Sequence, residues 1–165
     1  MDLTRLRPAT VADLEAINGI YNHYVLTSTS TWQIEPESPA ARLEWFLQRD
    51  HSLHPVQVVE SDGCIAGWGS LSPFGKRGGF RHTVENSIYI HENFQRRGLG
   101  RQLLLDQLKQ ATATGHHCMI AAISGEQSAS LSLHKAHGFT EAGRLVQAGW
   151  KFDHWLDLVY LQKIL

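Results

Sequence analysis

Gln95-Arg96-Arg97-Gly98-Leu99-Gly100 stands between a β-branched stretch and an apolar helical repeat. A Gly-x-Gly turn that opens a helix aims backbone N–H groups at an anion. Glycine lets the chain approach without a Cβ, and the helix N-terminus adds partial positive charge. Arg96, Arg97 and Arg101 beside it suit a phosphate or diphosphate. Two familiar phosphate loops do not fit. A Walker A loop ends in Gly-Lys-Ser/Thr, whereas Gly100 is followed by Arg101 and Gln102. A dinucleotide fingerprint needs a third glycine where Leu103 stands, and it opens a first βαβ unit rather than lying past mid-chain. Taken alone, the loop is also compatible with a glycine-rich turn before an ordinary surface helix.

The elements around this loop describe one domain over residues 1–165. Leu3 to Arg7 reads as a short strand and 10–25 as a helix, with Thr10 as N-cap and Asp13 three residues on. The segment 27–38 is polar and β-branched, an extended loop. Ser38-Pro39 starts a second helix with Leu43, Phe46 and Leu47 on one face. Strands at 56–60 and 64–71 meet through Ser61-Asp62-Gly63, a hairpin signal. A basic, glycine-rich loop, 73–82, leads to an alternating strand at 83–90, with Val84, Ile88 and Ile90 on one face and Glu85, Ser87 and Tyr89 on the other. The helix after Gly98 carries Leu99, Leu103, Leu104, Leu108 and Ala111 as a stripe and stops near Gly115. A continuous apolar run at 118–123 reads as a buried central strand. A short helix ending at Gly138 and two closing strands complete the chain. The expected fold is α/β (α+β): a mixed, mostly antiparallel sheet of about seven strands flanked by about four helices.

Composition removes several function classes. The chain has 165 residues and a formal net charge of -1, which gives no support for nucleic acid or an anionic membrane as partner. Apolar runs stay well short of the roughly 20 residues that span a bilayer. Residues 1–10 lack the apolar stretch of a secretory signal, and the two cysteines, Cys64 and Cys118, form no CxxC pair. A cytoplasmic protein is expected. The ten histidines include pairs three apart, 51/54 and 134/137, but no HExxH and no carboxylate–histidine cluster with metal spacing. No metal site is expected.

The loop, the strand before it and "LHKAHGF" (133–139) after it together resemble the GCN5-related N-acetyltransferase (GNAT) superfamily. Its pyrophosphate loop has the pattern Gln/Arg-x-x-Gly-x-Gly/Ala. The pieces "RPAT-ADL", "IYNHYV-TST", "TVE-S-Y", "Q-RGLG", "LH-A-GF" and "G-K---W-D", with Gln162, resemble its phosphinothricin/methionine sulfoximine N-acetyltransferase group, from Arg7 onward. The resemblance implies acetyl-CoA as co-substrate, a small amino acid as acceptor and a homodimer. It implies acetyl-CoA contacts from Ile88, Tyr89, Ile90, Gln95, Arg96, Arg97, Gly98, Leu99, Gly100, Arg101, Ser130 and His134. Gln127 stands where many relatives carry an asparagine.

The same resemblance gives Glu85 the role of general base, because an α-amine is mostly protonated at neutral pH and must lose a proton before it attacks a thioester. The other reading of Glu85 is an exposed strand residue paired with an arginine. His134 takes the place of a general acid that protonates or hydrogen-bonds the departing thiolate; the other reading is a helix histidine with a backbone partner. A backbone N–H near Ile88 is expected to meet the oxyanion. Arg77, with Lys76 and Phe80, is implied in binding a carboxylate, phosphinate or sulfone, or else forms a solvated basic loop. Tyr24, Thr29, Trp32 and Trp155 are candidates to close over the substrate, or to pack. Other acceptors of the same chemistry are a protein N-terminus, a polyamine or a drug amine. A module that binds acyl-CoA without turnover is the remaining alternative, and the presence of Glu85 and His134 argues against it.

Overall fold

The computed structural model describes residues 4–165. In chain order the elements are β1 (Arg5–Pro8), α1 (Leu14–Thr27), α2 (Pro39–Leu47), β2 (Val56–Ser61), β3 (Cys64–Pro73), β4 (Thr83–Ile90), α3 (Leu99–Ala113), β5 (Cys118–Ser124), α4 (Ser128–Ala136), β6 (Thr140–Lys151) and β7 (His154–Ile164). The seven strands form one sheet in the order β1-β2-β3-β4-β5-β7-β6. Among the described residues only β4 and β5 run parallel, and α3 makes the crossover that a parallel pair requires. The expected architecture is the one found; of the first strand's expected span, Leu3 lies outside the described residues.

Local chemistry sets the element ends. Asp62 and Gly63 both have positive φ, 53° and 77°, and close the β2–β3 hairpin as a two-residue turn. Ser38 caps α2 by accepting from the Ala41 N–H at 3.1 Å, with Pro39 in the first turn. At the start of α1, Asp13 accepts from the Thr10 N–H at 2.8 Å. Its two carboxylate oxygens also take the fork of Arg7, each at 2.7 Å.

The helices pack in pairs on opposite faces. Leu14, Ile17 and Ile20 of α1 and Phe46 of α2 cover Val56, Val58 and Trp68. On the other face Leu99, Leu103, Leu104 and Ala111 of α3 cover Val59, Ala66, Leu71, Val84 and Met119, with Phe139 and β7 residues closing the layer. One expectation is corrected here. In α2, Leu43 and Leu47 are exposed, and the buried pair is Arg42 and Phe46. The Arg42 guanidinium sits 4.6 Å from the Tyr21 ring centroid and 4.7 Å from that of Trp45, and it pairs with Glu37. Stacking on aromatic faces makes arginine the residue that turns inward.

The sheet opens at its parallel pair. β4 and β5 are in register only over Thr83↔Cys118, Val84↔Met119 and Glu85↔Ile120. Beyond Glu85, β4 continues against β3 as far as Ile90, and β5 continues against β7 as far as Ser124. The two strands diverge as a wedge whose apex is Glu85. Among the described residues no helix is long and apolar enough to cross a membrane.

Arg7 holds the Asp13 carboxyl down at about 2, from an ordinary 3.8. A carboxylate held low contributes stability that is present above its unfolded-state value and is lost as pH falls through its folded-state value. Denaturant unfolding of the wild type and Asp13→Asn should therefore differ at pH 7 and converge between about pH 4 and pH 2. A stability gap of constant size across that range would contradict this assignment.

Candidate active site

The loop after β4 is built to receive an anion. Arg96 and Gly98 both adopt left-handed backbone, φ 64° and 79°, and alternation of such residues with ordinary ones turns successive N–H groups inward. Gly98 caps α3 without any side-chain bond to the free N–H groups of its first turn, so these are left for a ligand. An arginine in left-handed backbone is uncommon, and its cost is of order 1–2 kcal/mol. Gly100 is under no such constraint. Its backbone is ordinary, and an added methyl would rest 3.5 Å from Leu133, so what its missing side chain leaves is room on the cleft side.

The wedge between β4 and β5 forms a cleft of about 650 Å³. Asn86 to Ile90 line one wall and Ala121 to Ser124 the other. The floor and mouth carry Gln95, Arg96, Gly98, Gly100 and Arg101 from the loop, and Gln127, Ser130 and His134 from the α4 end. Glu85 sits at the apex of the wedge, half-buried, and burial alone pushes its carboxyl up. Among the described residues no arginine is paired with Glu85, and a pair would have pulled its carboxyl down.

His134 is 4% exposed, and both ring nitrogens are engaged. Nδ1 lies 2.8 Å from the Ser130 carbonyl oxygen, and Nε2 lies 3.0 Å from Asn86 Nδ2. Burial pushes the ring's pKa down, and His137 pushes in the same direction. The ring has a backbone partner and stands at the cleft wall.

The segment 28–32 closes the cleft from the α1 side and is tied down on three sides. Lys151, 3% exposed, donates to the carbonyls of Ser28 at 2.7 Å and Thr31 at 2.9 Å. Trp32 packs on Gly149, where any side chain would run into its ring. Gln127 donates to Thr29 Oγ1 at 2.8 Å, so its amide holds this segment. Tyr24 Oη donates to the Ile90 carbonyl at 2.6 Å and accepts from Gln95 at 3.0 Å, joining α1 to the anion loop.

Of the residues expected at the site, Tyr24, Trp32, Glu85, Ile88, Tyr89, Ile90, Gln95, Arg96, Gly98, Gly100, Arg101, Gln127, Ser130 and His134 line the cleft. Thr29 is buried behind it. Leu99 is in the core beneath α3, and Arg97 reaches Asp62 at 3.5 Å and lies over Phe94. Lys76, Arg77, Phe80 and Trp155 are exposed and lie outside the cleft wall. Phe80 packs on Phe74, and Trp155 packs on Trp150. Sequence reasoning missed Asn86, Gln107 and Lys151. Lys151 was within reach, as the lysine of "G-K---W-D". No group of three or more His, Cys, Asp or Glu that could hold a metal is found among the described residues.

A sheet splayed at one parallel pair, an anion loop at the mouth and a buried carboxylate at the apex define an acyl-transfer site. The chain belongs to the GNAT acetyltransferase family, whose model, "Acetyltransferase (GNAT) family", matches residues 17–139. It is 40% identical over 157 residues to the L-amino acid N-acyltransferase MnaT of Escherichia coli, covering 95% of this chain and 91% of that one. It is 40% identical to an L-methionine sulfoximine/L-methionine sulfone acetyltransferase of Salmonella typhimurium, over 95% of this chain and 92% of the relative. The structure of a phosphinothricin acetyltransferase from Sinorhizobium meliloti in complex with AcCoA superposes with a TM-score of 0.95 at 34% identity, over 98% of this chain and 88% of that one.

Replacing Lys151 by Met leaves two carbonyls unpaired and frees the segment carrying Thr29 and Trp32. Stability should fall by about 1–3 kcal/mol, roughly 2–10 °C in Tm for a chain of this size. The KM for the acceptor should rise while that for the acyl donor stays unchanged. A Tm equal to wild type would remove this clamp from the account.

Proposed function

We propose that this protein is an acetyl-CoA-dependent N-acetyltransferase acting on the α-amine of small amino acids with a tetrahedral polar side-chain group, of the methionine sulfoximine, methionine sulfone or phosphinothricin kind. The observation that carries the reading is Glu85: a half-buried carboxylate, raised by burial alone, at the apex of a wedge with an anion loop at its mouth. The names of the relatives support the acceptor class.

The residues present fit acetyl-CoA. The left-handed pair at Arg96 and Gly98, the uncapped start of α3 and Arg101 form a cradle for its pyrophosphate. When bound, acetyl-CoA supplies the thioester carbonyl that the amine attacks. Glu85 takes the proton from the acceptor's ammonium, directly or through a water, and its raised pKa brings it nearer to that task at neutral pH. The Ile90 carbonyl already faces Tyr24, away from β3. Main-chain groups alternate edges along an antiparallel strand, so Ile88 presents its N–H to the same edge, the wedge, where an oxyanion would form. The second amine proton leaves with the product thiol, and no covalent enzyme intermediate is needed.

Recognition of the acceptor's carboxylate or of its polar tetrahedral group, phosphinate or sulfone, falls to Arg77 and Lys76. The loop that carries them joins β3 to β4 beyond the Pro73↔Val84 pair, one pair past Ser72↔Glu85, at the base end of the wedge. Exposed Leu145, Val146, Trp150, Phe152 and Trp155 on the β6–β7 hairpin support a homodimer built through that hairpin. A cytoplasmic setting fits two free cysteines.

Thiol release should be fastest with L-methionine sulfone, L-methionine sulfoximine or L-phosphinothricin, and slow with spermidine or a Ser/Ala-starting peptide. Activity on the peptide alone would overturn the acceptor class. Because the base works deprotonated, kcat/KM should rise with pH through the raised Glu85 ionisation and then level off. Glu85→Gln should lower kcat by about 10²-fold or more and abolish that rise; an unchanged pH profile would remove Glu85 from the role.

A further inference from the structure

Behind the cleft wall a chain of buried amides ends on His134. Gln107 of α3 is fully buried, and its Nε2 faces two carbonyl oxygens, Ser87 at 3.0 Å and Ser70 at 3.4 Å. Two acceptors fix that atom as the nitrogen, so Gln107 Oε1 is the atom turned toward Asn86. Asn86, 7% exposed, meets that oxygen at 3.1 Å. The Asn86 atom there must be its NH₂ group, and the same NH₂ meets His134 Nε2 at 3.0 Å. An NH₂ group only donates, so Nε2 only accepts. The other ring nitrogen faces the Ser130 carbonyl at 2.8 Å and must carry the proton. Every role in the chain follows from two main-chain carbonyls on β3 and β4.

We propose that Gln107 and Asn86 are positioning residues that lock His134 as the neutral Nδ1–H tautomer, so that His134 cannot give a proton to the departing thiolate. A proton on Nε2 would face the Asn86 NH₂ head-on. Asn86 cannot turn over to relieve this, because its oxygen would then face Gln107 Oε1. The arrangement persists although Asn86 Oδ1 has no hydrogen-bond partner among the described residues. Burial disfavours an imidazolium; among the described residues the Ser130 carbonyl at Nδ1 is the one contact that favours it. Phe139 packs edge-on against the ring, 5.0 Å between centroids. His137 opposes a second positive charge, Lys135 is paired with Glu141, and Lys163 of β7 lies by Gly138. Burial is the main cause of the ring's lowered pKa, and the geometry of the amide chain fixes which nitrogen carries the proton.

This departs from the general-acid role that the family resemblance implies for His134. It rests on the acetyl-transfer reading only for its kinetic consequence, that Glu85 alone sets the pH dependence below neutrality. The ring state itself is measured without substrate. Nitrogen-15 NMR of the wild-type protein should show a pyrrole-type Nδ1 and a pyridine-type Nε2 for His134 from about pH 6.5 upward, with a pKa below the ordinary ~6.5. Gln107→Leu, which lies outside the cleft wall, frees Asn86 to turn over. It should raise the His134 pKa by about one unit, with the acetyl-CoA KM unchanged. A merely structural role for Gln107 would change Tm and leave that titration alone. A wild-type Nε2–H tautomer, an imidazolium at neutral pH, or an unmoved titration in a folded Gln107→Leu would each overturn the proposal. The wild-type spectrum decides the tautomer even if the variant does not fold.

Discussion

The parallel ladder between β4 and β5 stops after three residue pairs, and the site follows from that interruption. A sheet that opens mid-strand would ordinarily leave main-chain N–H and C=O groups unsatisfied. Here each strand keeps its outer neighbour, β3 for β4 and β7 for β5, so the wedge costs only the inner edges. Those inner edges become the binding surface. The carboxylate at the last paired residue, Glu85, is sheltered enough to be raised yet open to the cleft. The anion loop follows because β4 must turn at Ile90 to start the crossover helix.

The cleft has one rigid wall and one clamped wall. On the α3 side, Gln107 and Asn86 fix His134 through main-chain acceptors, deep under the helix. On the α1 side, the segment 28–32 is held by Lys151 and Gly149 of β6 and by Gln127 from the turn before α4. Stability of the β6–β7 hairpin and shape of the cleft are therefore coupled.

Most of the architecture was legible because its signals are local. Asp62-Gly63, Ser38-Pro39 and Gly115 each dictate a turn or cap by their own chemistry, and the α3 stripe is a plain 3.6 repeat. The α2 face was misread because periodicity counts apolar residues, and it cannot see a guanidinium stacked between aromatic rings. Asn86 and Gln107 escaped for a related reason. Asn86 interrupts the Val84–Ile88 face of β4, and Gln107 stands at i+4 from Leu103 and four before Ala111. A polar residue in an apolar stripe is the signal that marks a buried network. Lys76, Arg77, Phe80 and Trp155 illustrate the opposite limit. They stand outside the cleft wall, and their position relative to it is set by loop and hairpin geometry that no sequence pattern encodes.

The central claim is that the inner edge of β4 beyond Glu85 is an unpaired strand edge reserved for acetyl-CoA. Amide hydrogen exchange measures it directly. Without ligand, the inward-facing amides around Ile88 and Ile90 should exchange quickly while neighbours bonded to β3 are protected, and saturating acetyl-CoA should protect both these amides and those of 96–101. Amides around Ile88 that are already protected in the free protein, or that stay fast at saturation, would contradict the account.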